Sequence, residues 1–172
     1  MFHMMRKYLA VAALCTTALV PVQALSQEAV FVISTNEVGV PNYNPITAVN
    51  TNAAFSMIYD TLVEQDADLS FHPHLATSWD EAPDGMGWVF HLKSGVTFHN
   101  GDAFNAKTVV DWLEMFRKSE NAYMIDAVEK VEAVDDVTVK FVMKHPDPNI
   151  LYNLSSSFMG VPDPAVVAKL GE

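Results

Sequence analysis

Between residues 53 and 170 the chain switches between two hydrophobic periods. Ala53, Ala54, Met57, Ile58, Thr61 and Leu62 fall three and four apart, which predicts a short helix over 52–59. From Leu62 the period shortens towards two, with turn residues as punctuation. Leu62 to Gln65 and Leu69 to Pro73 flank a turn at Asp66 to Asp68, and Ser78 to Ala82 and Trp88 to Lys93 flank Pro83-Asp84-Gly85. Proline presets φ for a turn and glycine accepts positive φ, so this tripeptide predicts a hairpin. Asn100-Gly101 closes another extended piece, after which Val109, Val110, Leu113 and Phe116 repeat helically behind Asn105. An asparagine there can cap the first turn, which predicts a helix from Ala106 to Arg117. Val137, Val139, Phe141 and Met143 alternate against Thr138 and Lys140; with Val128 to Val134 across Asp135-Asp136 they predict a second hairpin with one buried face. Short helices are expected at Asn149 to Leu154 and at Ala165 to Leu170, the latter opened by Asp163-Pro164 and closed by Gly171.

The first fifty residues read differently. Arg6 and Lys7 precede an apolar run from Tyr8 to Val20, too short for the roughly 20 residues that span a bilayer. This is the pattern of a secretory signal peptide. Small residues two apart allow cleavage after Ala24, the favoured site, or after Ser26, and both discard Cys15. Cys15 sits inside the apolar run without the leader pattern of a lipoprotein, so no lipid anchor is expected. Ala29 to Ser34 (AVFVIS) is a continuous β-branched run, the mark of a strand covered on both faces of a parallel or mixed sheet. Thr35 to Asn50, with two prolines, Gly39 and four asparagines, is loop chemistry.

Composition narrows the function classes. Ten basic against twenty-one acidic side chains give a net charge of −11, which disfavours phosphate backbones as partners; no nucleic acid is expected. One cysteine excludes an internal disulfide or a thiolate metal cluster.

The middle of the chain carries a resemblance. Tyr59-Asp60-Thr61-Leu62-Val63, Leu75-Ala76-Thr77-Ser78-Trp79, Pro83-Asp84-Gly85, Trp88 to Lys93, Gly95 to Gly101, Phe104, Ala106 and Val109, in that order, resemble the family 5 extracellular solute-binding proteins, receptors of ABC importers for peptides, nickel and related solutes. The resemblance implies an α/β fold of the type II periplasmic-binding-protein kind, here a partial first lobe with a mixed sheet, β-hairpins and short helices. It divides the chain into a signal peptide (1–24), the first strand and loop of lobe I (25–50), an α/β subdomain (51–155) and the start of a return segment (156–172). Members run to several hundred residues and close two lobes on a ligand, so an N-terminal fragment is expected. The motif also reads as packing: turn glycines, a buried Trp79, and alternating Phe90 and Leu92. Gly87 departs from the family's Ser or Thr, with a weakened or bulged strand as the expected consequence.

Candidate chemistry is sparse. His72 and His74 have a spacing metal sites use, yet Pro73 lies between them and no third ligand follows, so surface or packing roles are expected for both. His91 and His99 fall inside the packing motif. In the nickel-binding branch an aromatic and a methionine precede the first helix; alignment on Tyr59 places Thr47 and Asn52 there, which disfavours a nickel receptor. Asp80, Glu81 and Asp84, and Asp135 with Asp136, read as solvated turn carboxylates. Ser155-Ser156-Ser157 lacks the context of a nucleophile, so no enzyme, metal or cofactor is expected.

Ligand contacts are expected instead from the loop after the first strand, because ligands of two-sided sheets bind at strand C-terminal ends. Glu37 and Val38 lie there. Tyr123 and Met124 fall where family members bring an aromatic towards the cleft. The resulting expectation is a periplasmic receptor, monomeric if full length, that captures a peptide or peptide-like solute and delivers it to an ABC permease in the inner membrane. The alternative is a truncated chain without transport activity, or a stand-alone structural domain.

Overall fold

The computed structural model describes residues 44–48 and 54–170. The expected signal peptide, the strand Ala29 to Ser34, Glu37, Val38 and Gly171 lie outside the described residues. The elements are α1 (Phe55–Ile58), β1 (Val63–Gln65), β2 (Phe71–Pro73), β3 (Ala76–Glu81), β4 (Gly87–Leu92), α2 (Ala106–Phe116), β5 (Val128–Asp135), β6 (Thr138–Met143), α3 (Ile150–Ser155) and α4 (Pro164–Leu170), with 3-10 turns at Ala122–Ile125 and Ser157–Met159. β1 and β2 form a small hairpin, and the other strands form one sheet in the order β3-β4-β6-β5. Every pair is antiparallel among the described residues. A mixed sheet depended on Ala29 to Ser34.

Alternation decides which sheet face is inside. Trp88, Phe90 and Leu92 of β4 and Val139, Phe141 and Met143 of β6 are buried, and the Phe90 and Phe141 rings lie 4.9 Å apart, tilted by 54°. α2 closes over this face with Ala106, Val109, Trp112, Leu113 and Phe116. Its start is the one expected: Asn105 Oδ1 accepts from the Thr108 N–H at 3.1 Å, and Thr108 Oγ1 accepts in return from the Asn105 N–H. Two donors that the helix cannot satisfy itself are thereby paired. At the other end of α2 the Arg117 guanidinium donates to the carbonyls of Val128 and Glu129, covering part of the outer edge of β5.

Both hairpin turns are as expected. Gly85 sits at φ 69° in the β3–β4 turn, where the Asp84 carboxylate accepts from the Met86 N–H. In the β5–β6 turn the Val137 N–H, donating to Asp135, holds that carboxyl below the usual carboxylate range.

Several expectations change. Trp79 is only half buried, because among the described residues β3 lies at the end of the sheet and its sole fully buried residue is Ala76; Trp88, one strand further in, is buried instead. Asp80 and Glu81 lie within β3, not at a turn. The β1–β2 turn runs on to Ser70, with Leu69 at φ 71°, so β2 begins at Phe71. His99 is exposed, not packed. Gly87 pairs with Val142 in a ladder that keeps its register; the irregularities fall in β3 and β5. A methyl group at Gly87 would meet the Phe141 carbonyl at 3.6 Å and Ala82 Cβ at 3.7 Å, both ordinary contacts. Gly87→Ala is therefore expected to stabilise the fold by about 0.4–1 kcal/mol through the unfolded chain. A fall in the urea midpoint would show that β4 needs bare backbone there.

Candidate functional site

Two features stand out on this frame. The first is a cavity of about 830 Å³ where the chain enters and leaves the described fold. The Val161 N–H donates to the Asp60 carbonyl at 2.9 Å, so the stretch after α1 and the stretch before α4 run side by side. The approach is close enough that a Cβ on Gly160 would stand 2.5 Å from Tyr59 Cβ. Leu75, Phe104, Val161 and Val167 are buried at the cavity's wall, while Met57 and Ile58 remain 65% and 40% exposed at its mouth.

The polar groups of the cavity are held by one another. Asn100 Nδ2 donates to Asp163 at 2.7 Å and to Asp102 at 2.8 Å, while the other Asp163 oxygen accepts from the Ala165 N–H. Asp163 thus caps α4 as expected and also ties it to the 96–104 loop. His74 Nδ1 accepts from the Thr61 N–H at 3.3 Å, which leaves its Nε2 to face Asp60 Oδ1 at 3.4 Å. Burial pushes the Tyr59 phenol up from its ordinary value. The lining holds two carboxylates, Asp60 and Asp163, and no lysine or arginine among the described residues. Such a wall can hold apolar groups and favours a cation over an anion; it holds no nucleophile paired with a base.

The second feature is the 3-10 turn Ala122–Ile125. Tyr123 stands 70% exposed on it, whereas Met124 and Ile125, the next two residues of the turn, are buried at 7% and 1%. Neither Tyr123 nor Met124 lines the cavity. Tyr152 of α3, an element that packs against this turn, is also exposed.

His72 and His74 face different partners. His72 Nε2 lies 3.1 Å from Asp66 and 2.8 Å from Ser70 Oγ, whereas His74 pairs with Asp60. Among the described residues no group of three or more His, Cys, Asp or Glu side chains could hold a metal ion. Sequence reading missed the cavity because its walls come from stretches far apart; Asn100 and Asp163 are 63 residues distant. The only local signal was the Asp163-Pro164 cap.

Comparison with known proteins places the chain's sequence and fold. Residues 70–169 match the family described as bacterial extracellular solute-binding proteins, family 5 (middle). A glutathione-binding protein, GsiB, of Pectobacterium atrosepticum is 32% identical over 168 residues, covering 94% of this chain and 32% of the relative. Di/tripeptide-binding protein 1 of Pseudomonas aeruginosa is 29% identical over 170 residues, covering 86% of this chain and again 32% of the relative. Among solved structures, NikZ from Campylobacter jejuni in complex with Ni(L-His) superposes with a TM-score of 0.69 at 26% identity, over 77% of this chain and 27% of that one. The chain spans about a third of the length of the curated relatives it matches.

Proposed function

We propose, from the premise that this chain belongs to the bacterial extracellular solute-binding proteins of family 5, that it forms part of the capture wall of an ABC importer's receptor for a peptide or peptide-like solute. The observation that carries the reading is Tyr123: a large aromatic 70% exposed on a turn whose next two residues, Met124 and Ile125, are buried offers a flat apolar face and a hydroxyl to something outside the fold. Two of the relatives are named for glutathione and for di- and tripeptides, all short amide-linked solutes, which is why a peptide is proposed over a metal chelate. On this reading residues 1–24 direct export to the periplasm and are removed, and Glu37 and Val38 join Tyr123 at the solute while Met124 supports it from within. Capture then needs no chemistry. A solute is desolvated between this wall and a second lobe, and the closed form is what the permease recognises.

The test is a titration of the isotopically labelled chain with trialanine and with glutathione, followed residue by residue by NMR. One wall leaves the solute half solvated, so binding is expected at about millimolar or weaker, equivalent to roughly 4 kcal/mol. Shifts should centre on Tyr123 and disappear in Tyr123→Ala. Shifts confined to the cavity around Phe98 and Val161 would move the solute site there. Silence at both places up to the solubility limit would leave the structural-domain alternative standing.

A further inference from the structure

Three polar residues are buried among those described: Thr61, Thr108 and Asn121. Thr61 Oγ1 donates to the Val63 carbonyl and also lies 3.3 Å from His74 Nδ1, and Thr108 closes the cap of α2. Asn121 does something else. Its Nδ2 donates to the Ala48 carbonyl at 2.9 Å across 73 residues, and the bond is buried at both ends. A buried amide is costly unless paired, and a paired one fixes geometry because every alternative leaves it unsatisfied.

Both ends of this bond are stiff. On one side, Asn44 holds the turn 44–48 through its carbonyl, which accepts from the Thr47 and Ala48 N–H groups, and through its side chain, which accepts from the Ile46 N–H at 3.0 Å. On the other, the Asn121 carbonyl accepts from the Met124 N–H at 3.0 Å, while the Asn121 N–H is taken up by Ser119 Oγ. The folding of residues 119–126 therefore uses only the Asn121 backbone, and its side chain is free to reach outwards. A second amide acts from the opposite flank: Asn153 Nδ2 of α3 donates to the Met124 carbonyl at 2.9 Å. Tyr123 lies between the two ties.

We propose that Asn121, assisted by Asn153, is a positioning residue that fixes the backbone beneath Tyr123 and so sets where its ring meets the solute. This rests on the reading of Tyr123 as a solute contact. The advantage is preorganisation: a loose turn would have to be ordered on binding, whereas here the turn's order is already present.

The test compares Asn121→Ala and Asn153→Ala with Asn105→Ala, which removes the cap of α2 and weakens the fold away from Tyr123. Asn153 is only half buried, so its variant remains informative if Asn121→Ala fails to fold. Two readouts are taken on the 172-residue chain: hydrogen exchange of the Ala122–Asp126 amides, and the trialanine-induced shift of the Tyr123 ring, assigned by its loss in Tyr123→Phe. Asn121→Ala or Asn153→Ala should accelerate local exchange about tenfold and weaken the Tyr123 response about three- to tenfold, with Asn105→Ala leaving both as in the parent. Equal Tyr123 responses in the parent and both tie variants overturn the positioning role and leave the solute reading intact. A parent ring that does not respond to peptide overturns the solute reading and the positioning role with it, and faster exchange in the variants then marks the amides as structural ties only.

Discussion

Trp112→Ala is expected to destabilise the fold by about 3–5 kcal/mol, a large share of a domain stability of the order of 5–15 kcal/mol. Trp112 is completely buried at the middle of α2, edge-on to Phe116 at 6.4 Å, and faces the sheet through the residues that make α2 and β4–β6 one core. Alanine would remove most of that volume, and neighbours fixed on a helix and a sheet relax only partly into the space. Trp112→Phe should behave otherwise. The indole Nε1–H is buried without a hydrogen-bond partner among the described residues, so a phenyl ring loses volume while also removing an unsatisfied donor. The net cost is expected below about 1.5 kcal/mol. Trp79→Ala provides the contrast, at less than about 1.5 kcal/mol, because that ring is half buried on an edge strand. Urea unfolding followed by far-UV circular dichroism measures all three. If Trp79→Ala cost as much as Trp112→Ala, the assignment of the core to the α2 side of β4 and β6 would be wrong.

Gly160→Ala is the second large effect, expected at about 1–3 kcal/mol although Gly160 has an ordinary φ of −58°. The reason is proximity, since the new methyl carbon would lie 2.5 Å from Tyr59 Cβ and 3.4 Å from the Ser157 carbonyl oxygen. Tyr59 Cβ is anchored directly to the backbone, so the clash is relieved only by separating the two chain stretches. That would break the Val161 to Asp60 bond that joins them. A double-mutant cycle isolates the cause: Tyr59→Gly removes the opposing carbon, and Gly160→Ala on that background should cost less by about 1 kcal/mol or more. Additive costs would show that Gly160 matters for some reason other than the Tyr59 contact.

Features whose causes lie within a few residues were legible beforehand. The Pro83 to Gly85 turn, the Asp135-Asp136 turn, the Asn105 cap and the extent of α2 follow from dihedral preferences, side-chain capping and a hydrophobic period, all of which act over one or two turns of chain. Cross-strand burial was legible in β4 and β6, because alternation there marks one inner face. The same alternation could not say which tryptophan is inside, since that depends on whether a strand has one neighbour or two. Sheet order settles it: β4 lies between β3 and β6, while β3 has one neighbour among the described residues, so Trp88 is covered and Trp79 only partly.

The candidate site divides in the same way. Tyr123 was singled out beforehand from its place after the long helix, where the resembling family brings an aromatic towards the cleft, and its exposure became visible only when Met124 and Ile125 were seen to fill the core beside it. Nothing in the residues around Asn121 or Asn100 announces partners 73 and 63 positions away, because an amide's side chain carries no record of which distant carbonyl or carboxylate it will meet. By itself, then, the sequence determined the local elements, the family and the acidic character of this protein, since turns, caps, periodicity and charge are properties of neighbouring residues. Only the tertiary structure decided which aromatic is buried, where the cavity opens and what holds Tyr123 in place, because each of these is a contact between stretches that the chain's order keeps far apart.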